Sequence, residues 1–158
     1  MKVDGEREFR VPCEILWDVL NDPAKMADLM PGVQSFTIKD ERNWTATVKV
    51  PLGLGSLAMT IDFEQTEVRP LEYSSLHAKG NGVGAIMNMQ TSFALEPVDS
   101  GTRMLWNAEV SILGPVGAMG QRVLQPIVKQ QVNQVLTALD RRVTAAAAES
   151  GSAPASTA

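Results

Sequence analysis

The chain has 158 residues, 44% of them hydrophobic and 20% charged, with a formal net charge of −4, which fits one globular domain and lacks the basic excess that binding nucleic acid requires. Cys13 is the single cysteine, which excludes an intrachain disulfide and a thiolate metal cluster; with His77 the single histidine, a histidine-based metal site would have to be built mainly from carboxylates. The N-terminal "MKVDGEREFR" carries charge where a signal peptide needs an apolar run, and no stretch approaches the roughly 18 apolar residues of a membrane-spanning helix, so a cytoplasmic location is expected.

Residues 6–11 alternate in polarity and predict a short first strand. Pro12 then sits where helices start, and Ile15, Leu16, Val19 and Leu20 supply a short apolar face. "NDP" at 21–23 ends that helix, and a second short one is expected over 24–30, closed by Pro31-Gly32. From Val33 the pattern changes to period two, and six strands are predicted over 33–40, 44–50, 57–68, 71–79, 85–96 and 102–113. From Pro115 to about Ala148 the period is helical, with Val116, Met119, Val123, Ile127, Val128, Val132, Val135, Leu136, Leu139 and Val143 on one broad stripe. Pro126 is expected to kink or divide that helix. The domain spans 1–148, and the small, polar residues 149–158 predict a disordered tail. The sum is an α+β domain in which a curved antiparallel sheet of about seven strands wraps a long C-terminal helix.

In an up-and-down meander the turns alternate between the two ends of the sheet. One end receives "KDERN", "EVRPLE" and "EPVDSGTR", all charged. The other receives "LMPGV", "PLGLGS", "KGNGVG" and "GPVGAMG", which carry Lys79 as their one charge and hold Leu29, Met30, Leu52, Leu54, Val83 and Val116. Turns are ordinarily polar, so this end reads as a gate or a docking face.

The strand faces point to an interior rich in methionine; the chain has eight, as many as its Phe, Trp and Tyr together. "AIMNMQTSF" (85–93) places Met87, Met89 and Phe93 on one face, alongside Met59, Ile61 and Phe63 of one strand and Trp106, Ala108 and Val110 of the last. Met119, Val123 and Ile127 of the helical segment would face them. Thioethers fill irregular volumes and adapt to differently shaped partners, so this wall suits a pocket for a flexible apolar molecule as well as a plain core. Asp62, Glu64, Thr66, His77, Asn107, Glu109 and Ser111 fall on the opposite faces, which leaves no acid–base pair inside. "GNGVG" joins two strands rather than opening a helix, and so lacks the context of a dinucleotide fingerprint. Cys13 reads as a buried, inert thiol.

Taken together, "FRVPCEILWDVLNDPAKMADLMPGV", the "GNGVG" hairpin and "GTRMLWNAEVSILGPVGAMGQRVL" resemble the CoxG family of carbon monoxide dehydrogenase subunits, within the START-like, polyketide-cyclase-like (SRPBCC) superfamily. The resemblance covers about residues 3–140. It implies a helix-grip fold with an apolar cavity between sheet and helix. It also implies association with a molybdenum-containing carbon monoxide dehydrogenase at the inner face of the cell membrane, by recruiting that enzyme or by carrying a lipophilic quinone such as menaquinone. Some members of that family carry a C-terminal hydrophobic anchor; "SGSAPASTA" is polar, so peripheral membrane contact is expected.

Three functional readings fit these features. The first is a non-enzymatic quinone carrier whose pocket is lined by the twelve residues of the methionine wall, with no covalent cofactor and no metal. The second is an adaptor that docks the dehydrogenase or the membrane through its apolar end and has a solid interior. The third, ranked last, is a cyclase or hydratase, which needs an ionisable group inside.

Overall fold

The period-two segments become seven strands, and the helical segments three helices. A computed structural model describes residues 1–52 and 55–149. The elements run β1 (Lys2–Phe9), α1 (Cys13–Leu20), α2 (Pro23–Ala27), β2 (Val33–Ile38), β3 (Asn43–Leu52), β4 (Gly55–Arg69), β5 (Tyr73–Gly82), β6 (Ala85–Val98), β7 (Gly101–Leu113), a 3-10 turn at Gly117–Met119, and α3 (Gln121–Glu149). All neighbouring strands are antiparallel, in the order β1-β7-β6-β5-β4-β3-β2, so the chain is a meander whose first strand crosses over to pair with the last. This is the expected curved sheet with a long C-terminal helix. Among the described residues no helix is long and apolar enough to cross a membrane.

Local chemistry sets the boundaries. The Asp22 side chain accepts hydrogen bonds from the N–H groups of Ala24 (3.0 Å) and Lys25 (3.4 Å), and Pro23 occupies the first turn of α2, where its missing N–H costs nothing. The helix is shorter than its expected span and closes at Ala27, where the N–H groups of Leu29 and Met30 donate to the Met26 and Ala27 carbonyls in tighter turns. The first strand begins earlier than the sequence pattern suggests, at Lys2, because Val3, Gly5, Arg7 and Phe9 share the inner face and only two of these are apolar. The long helix begins at Gln121, after Gly120 at φ +84°, rather than at Pro115. Pro126 neither divides nor ends it. Six residues into the helix, it removes a single hydrogen bond, and the helix continues unbroken to Glu149.

Gly101 closes the β6–β7 turn at φ +144°, where a side chain would stand 2.1 Å from the Phe9 carbonyl oxygen. The turn can thus press on the end of β1. The neighbouring Thr102, fully buried, donates from its hydroxyl to the Val11 carbonyl at 2.8 Å.

The core is split into two clusters. One joins Phe9, Val11 and α1 (Leu16, Val19, Leu20) to Phe93, Leu95 and Met104 of the sheet and to Leu136, Leu139 and Val143 of α3. The other lies on the concave face of β3, β4 and β5 and contains Trp44, Ala46, Val48, Leu57, Met59, Ile61, Phe63 and Leu76. Trp44 stacks on Phe63 at 5.8 Å within the second, and Trp17 meets Phe93 edge-on within the first. Arg7 of β1 reaches Asp140 of α3 at 3.1 Å, which ties the helix to the edge of the sheet. Leu139 is 1% exposed in the first cluster, so Leu139→Ala should lower the unfolding free energy by about 2–5 kcal/mol, read as a shifted midpoint in urea or thermal melts.

Candidate functional site

Strand pairing places the expected wall on one face. In register across the sheet run Trp44, Phe63, Ala78, Met89 and Val110; the next row holds Ala46, Ile61, Gly80, Met87 and Ile112. A third row sets Phe93 beside Trp106 and Gly5. Met59, Ile61, Phe63, Phe93, Ala108 and Val110 are buried there. Between the two core clusters, however, the face is only half-covered. On β6, Met87, Met89 and Thr91 are half-buried while Ala85, Phe93 and Leu95 on the same face are buried; on β7, Trp106 and Ile112 are half-buried while Met104, Ala108 and Val110 are buried. The helix shows the same interruption. No residue of α3 between Leu124 and Leu136 is fully buried, and Ile127, Val128, Val132 and Val135 are half-exposed. An apolar strip about four residues long therefore runs between sheet and helix with incomplete cover.

The methionines divide by role. A side chain on Gly80 would lie 2.6 Å from the Met59 sulfur and 3.3 Å from Met87 Cε, so these two thioethers occupy the space that this glycine leaves. Met59, 5% exposed, belongs to the packed core. Met87 and Met89 pack against the edge of that core and border the strip. Met119 and Val123 are less covered than the sheet residues of the expected wall. They stand at the start of α3, 44% and 43% exposed.

Those two residues belong to the apolar end of the molecule. Val83, at the tip of the β5–β6 hairpin, is 92% exposed, and Ile86 and Leu113 nearby are more than half exposed. Ile86 pairs with Leu113 across the strands, and the Val116 N–H donates to the Gly84 carbonyl at 2.9 Å, which brings the hairpin tip and the β7–α3 connection together. Val116 and Met30 are half-buried and pack on the second cluster. Leu29 departs from expectation: it is buried in the first cluster with α1, because the turn after α2 folds it under the helix, and so it is no part of a gate. Leu52 ends β3, and Leu54 lies outside the described residues.

The polar side chains on the inner face are tied to one another. Gln65 continues the inward parity of Phe63. Its amide donates to the Asn21 side-chain oxygen at 2.8 Å and to the Ser74 hydroxyl at 3.1 Å, which links the end of α1 to the sheet. A bulge between Gln65 and Glu67 takes up one residue, so Thr66 faces out and Val68 returns to the inner face opposite Ser74. The Thr91 hydroxyl donates to the Asn107 carbonyl at 2.7 Å. The Gln65 knot was legible from strand parity alone, yet the polarity of the residue hid it among outward-facing neighbours.

Arg7, paired with Asp140, is the ionisable group on the inner face of β1; those of β4, β5 and the middle of β7 sit on the other face. Glu64, His77, Gln90 and Glu109 form one row of the outer surface, and Asp62 pairs in register with Lys79 and Thr45. The Thr45 hydroxyl, 2.6 Å from Asp62, and the Lys39 ammonium at 3.5 Å hold that carboxyl below its ordinary value. An open groove of about 520 Å³ lies along β1, β6 and β7, lined by outward-facing Lys2, Asp4, Glu6, Ser92 and Asn107 and also by Gly5 and Trp106. Its lining is mostly polar, and it shares Trp106 with the apolar strip. Among the described residues no cluster of three or more His, Cys, Asp or Glu could hold a metal ion. Cys13 is half-buried, with its sulfur 3.3 Å from the Thr102 hydroxyl oxygen.

A family model described as the CoxG subunit of carbon monoxide dehydrogenase matches residues 5–144. Solved structures share the fold at low sequence identity. A conserved protein from Geobacillus kaustophilus has a TM-score of 0.85 at 20% identity, covering 91% of this chain and 95% of its own. The Zhui aromatase/cyclase from Streptomyces sp. R1128 has a TM-score of 0.71 at 14% identity, covering 97% and 99%. A protein from Thermus thermophilus has a TM-score of 0.68 at 17% identity, covering 92% and 99%. No curated protein sequence matches.

The graded cover of the methionines has a direct chemical readout. On brief exposure to dilute hydrogen peroxide, peptide mass spectrometry should find Met119 oxidised fastest, Met87 and Met89 at intermediate rates, and Met59 and Met104 slowest.

Proposed function

The chain belongs to the CoxG family of carbon monoxide dehydrogenase subunits, and from that premise we propose that it is a non-enzymatic carrier of a lipophilic molecule, an isoprenoid quinone such as menaquinone, between the dehydrogenase and the membrane quinone pool. The observation that carries this reading is the half-covered apolar strip bordered by Met87, Met89, Trp106 and Ile112, together with the exposed apolar end at Val83, Leu113 and Met119. Oxidation of carbon monoxide by water releases two electrons and two protons, which together reduce a quinone to a quinol. The isoprenoid tail of that quinone needs shelter from water whenever it leaves the bilayer. Burying the tail is favourable by about 25 cal/mol per Å² of apolar surface. The dehydrogenase performs the redox step. This chain supplies the shelter, and its apolar end meets the membrane surface or the enzyme where the ligand passes across.

The placement of Glu109, His77, Asp62 and Glu64 on the outer face favours carriage over the chemistry of a cyclase or hydratase, which needs an acid or base beside the ligand. Peripheral contact at the inner face of the membrane fits the exposed hairpin tip, which a bilayer or a partner would cover.

The adaptor reading rests on the same apolar end but gives the strip no ligand. Two substitutions separate the readings. Met89→Trp fills the strip, and Val83→Asp places a charge on the tip. For the carrier, Met89→Trp should abolish quinone binding while the protein stays folded, and Val83→Asp should leave binding intact but slow transfer from quinone-loaded liposomes by at least about tenfold, equivalent to a barrier raised by about 1.4 kcal/mol. The decisive measurement is native mass spectrometry of gently purified protein, followed by organic extraction. Isoprenoid quinone near one per chain supports the carrier. Bare protein that takes up no added quinone, yet still binds the dehydrogenase, makes it an adaptor.

A further inference from the structure

Trp106 holds the one buried side-chain nitrogen or oxygen, among the described residues, that has no hydrogen-bond partner: its indole Nε1. Buried donors are nearly always paired, so an orphan of this kind calls for a physical reason. The ring lies on the inner face of β7, against the first core cluster and across from Gly5 of β1. A side chain at Gly5 would stand 2.8 Å from Trp106 Cζ2 and 3.5 Å from Nε1, so the missing side chain is what lets the indole edge settle onto the edge strand. Trp106 as a whole is half-buried, so the ring is only partly covered.

The other polar groups of this face are committed. Gln65 donates to both Asn21 and Ser74, and the Thr91 hydroxyl is given to a carbonyl. Arg7, one step along β1 on the same face, is paired with Asp140 and lies over the Phe9 ring. Each of these groups already has a partner, whereas an acceptor arriving at Trp106 Nε1 would satisfy a buried donor that has none. With the Arg7 charge already compensated, the site suits a neutral acceptor rather than a carboxylate.

We infer that Trp106 Nε1 is the polar anchor of the binding strip: it donates a hydrogen bond to a neutral carbonyl oxygen on the head of the lipophilic ligand, once the ligand slides beneath the indole and lifts its edge from Gly5. The inference rests on the carrier reading and adds to it the end of the strip where the head group lodges. The tail then extends past Met89 and Met87 toward the apolar end, which makes the head the first part to enter and the last to leave.

The test compares two probes: a short-tailed isoprenoid naphthoquinone and squalene, an isoprenoid hydrocarbon with no oxygen. Trp106→Phe keeps a ring but removes the donor. Relative to wild type, it should weaken the naphthoquinone on the order of tenfold and leave squalene unchanged. Equal weakening of both probes would make Trp106 a packing residue and overturn the inference, as would no change in either. A wild-type protein that binds neither probe overturns the carrier reading itself, which separates the two failures. Should Trp106→Phe not fold, protein labelled with 15N at the indoles gives a second readout, with the three tryptophan signals assigned through Trp17→Phe and Trp44→Phe. The Trp106 N–H resonance should move downfield and exchange more slowly on addition of the naphthoquinone but not of squalene. A resonance that stays in place with the naphthoquinone bound overturns the inference.

Discussion

One helix cannot cover seven strands, and most of the architecture follows from that mismatch. Six inter-strand spacings of about 4.8 Å make the sheet about 29 Å wide, while a helix with its side chains is about 10 Å across. The sheet can curve toward α3, but the helix still contacts only part of the inner face. The chain meets the shortfall by sealing one end with α1 and the C-terminal half of α3, and by packing β3, β4 and β5 into a second cluster of their own. The strip in between is what neither cluster reaches. In this fold a partly covered interior is a geometric remainder of the layer arrangement, which the choice of side chains then trims.

That trimming is visible at two glycines. Gly80 has no side chain where Met59 and Met87 meet, so the floor of the second cluster is filled by flexible thioethers from either side. Gly5 does the same for the indole of Trp106 on the edge strand. Pairing a large, adaptable side chain with an absent one keeps a wall continuous while leaving the larger partner able to move, because nothing branched locks it in place.

Much of this arrangement can be read in the sequence, and the exceptions have physical reasons. The inner faces of β4, β6 and β7 follow from strict alternation, since strand side chains repeat every two residues and Leu57–Phe63 and Met104–Ile112 keep that period unbroken. β1 is obscured because two of its four inward positions are Gly5 and Arg7; one is packed by a neighbour's indole and the other is neutralised by Asp140. The bulge at Gln65–Glu67 shifts the phase of β4 after Gln65, an insertion that composition does not announce. Leu29 resembles a loop residue in sequence but is drawn into the core by the turn after α2. Of the expected pocket wall, Met87, Met89 and Trp106 border the uncovered strip, while Met59, Ile61 and Phe63 belong to the packed cluster beside it; helical periodicity alone could not set the start of α3, because that boundary is set by the backbone of Gly120.

The strand order also governs how the chain reaches this state. β2 through β7 each pair with a neighbour in sequence, so five hairpins can form one after another with short loops to close. β1 is different: its partner is β7, and its N-terminal ammonium donates to the Val110 carbonyl across a sequence separation of 109 residues. Closing that contact early would carry the largest loop entropy in the molecule, and it becomes cheaper once the meander has drawn β7 into position. Of the seven strands, β1 is thus the one whose pairing gains most from the others being in place. Gly5 arrives with it, so the Trp106 ring acquires its seat only when the sheet is complete.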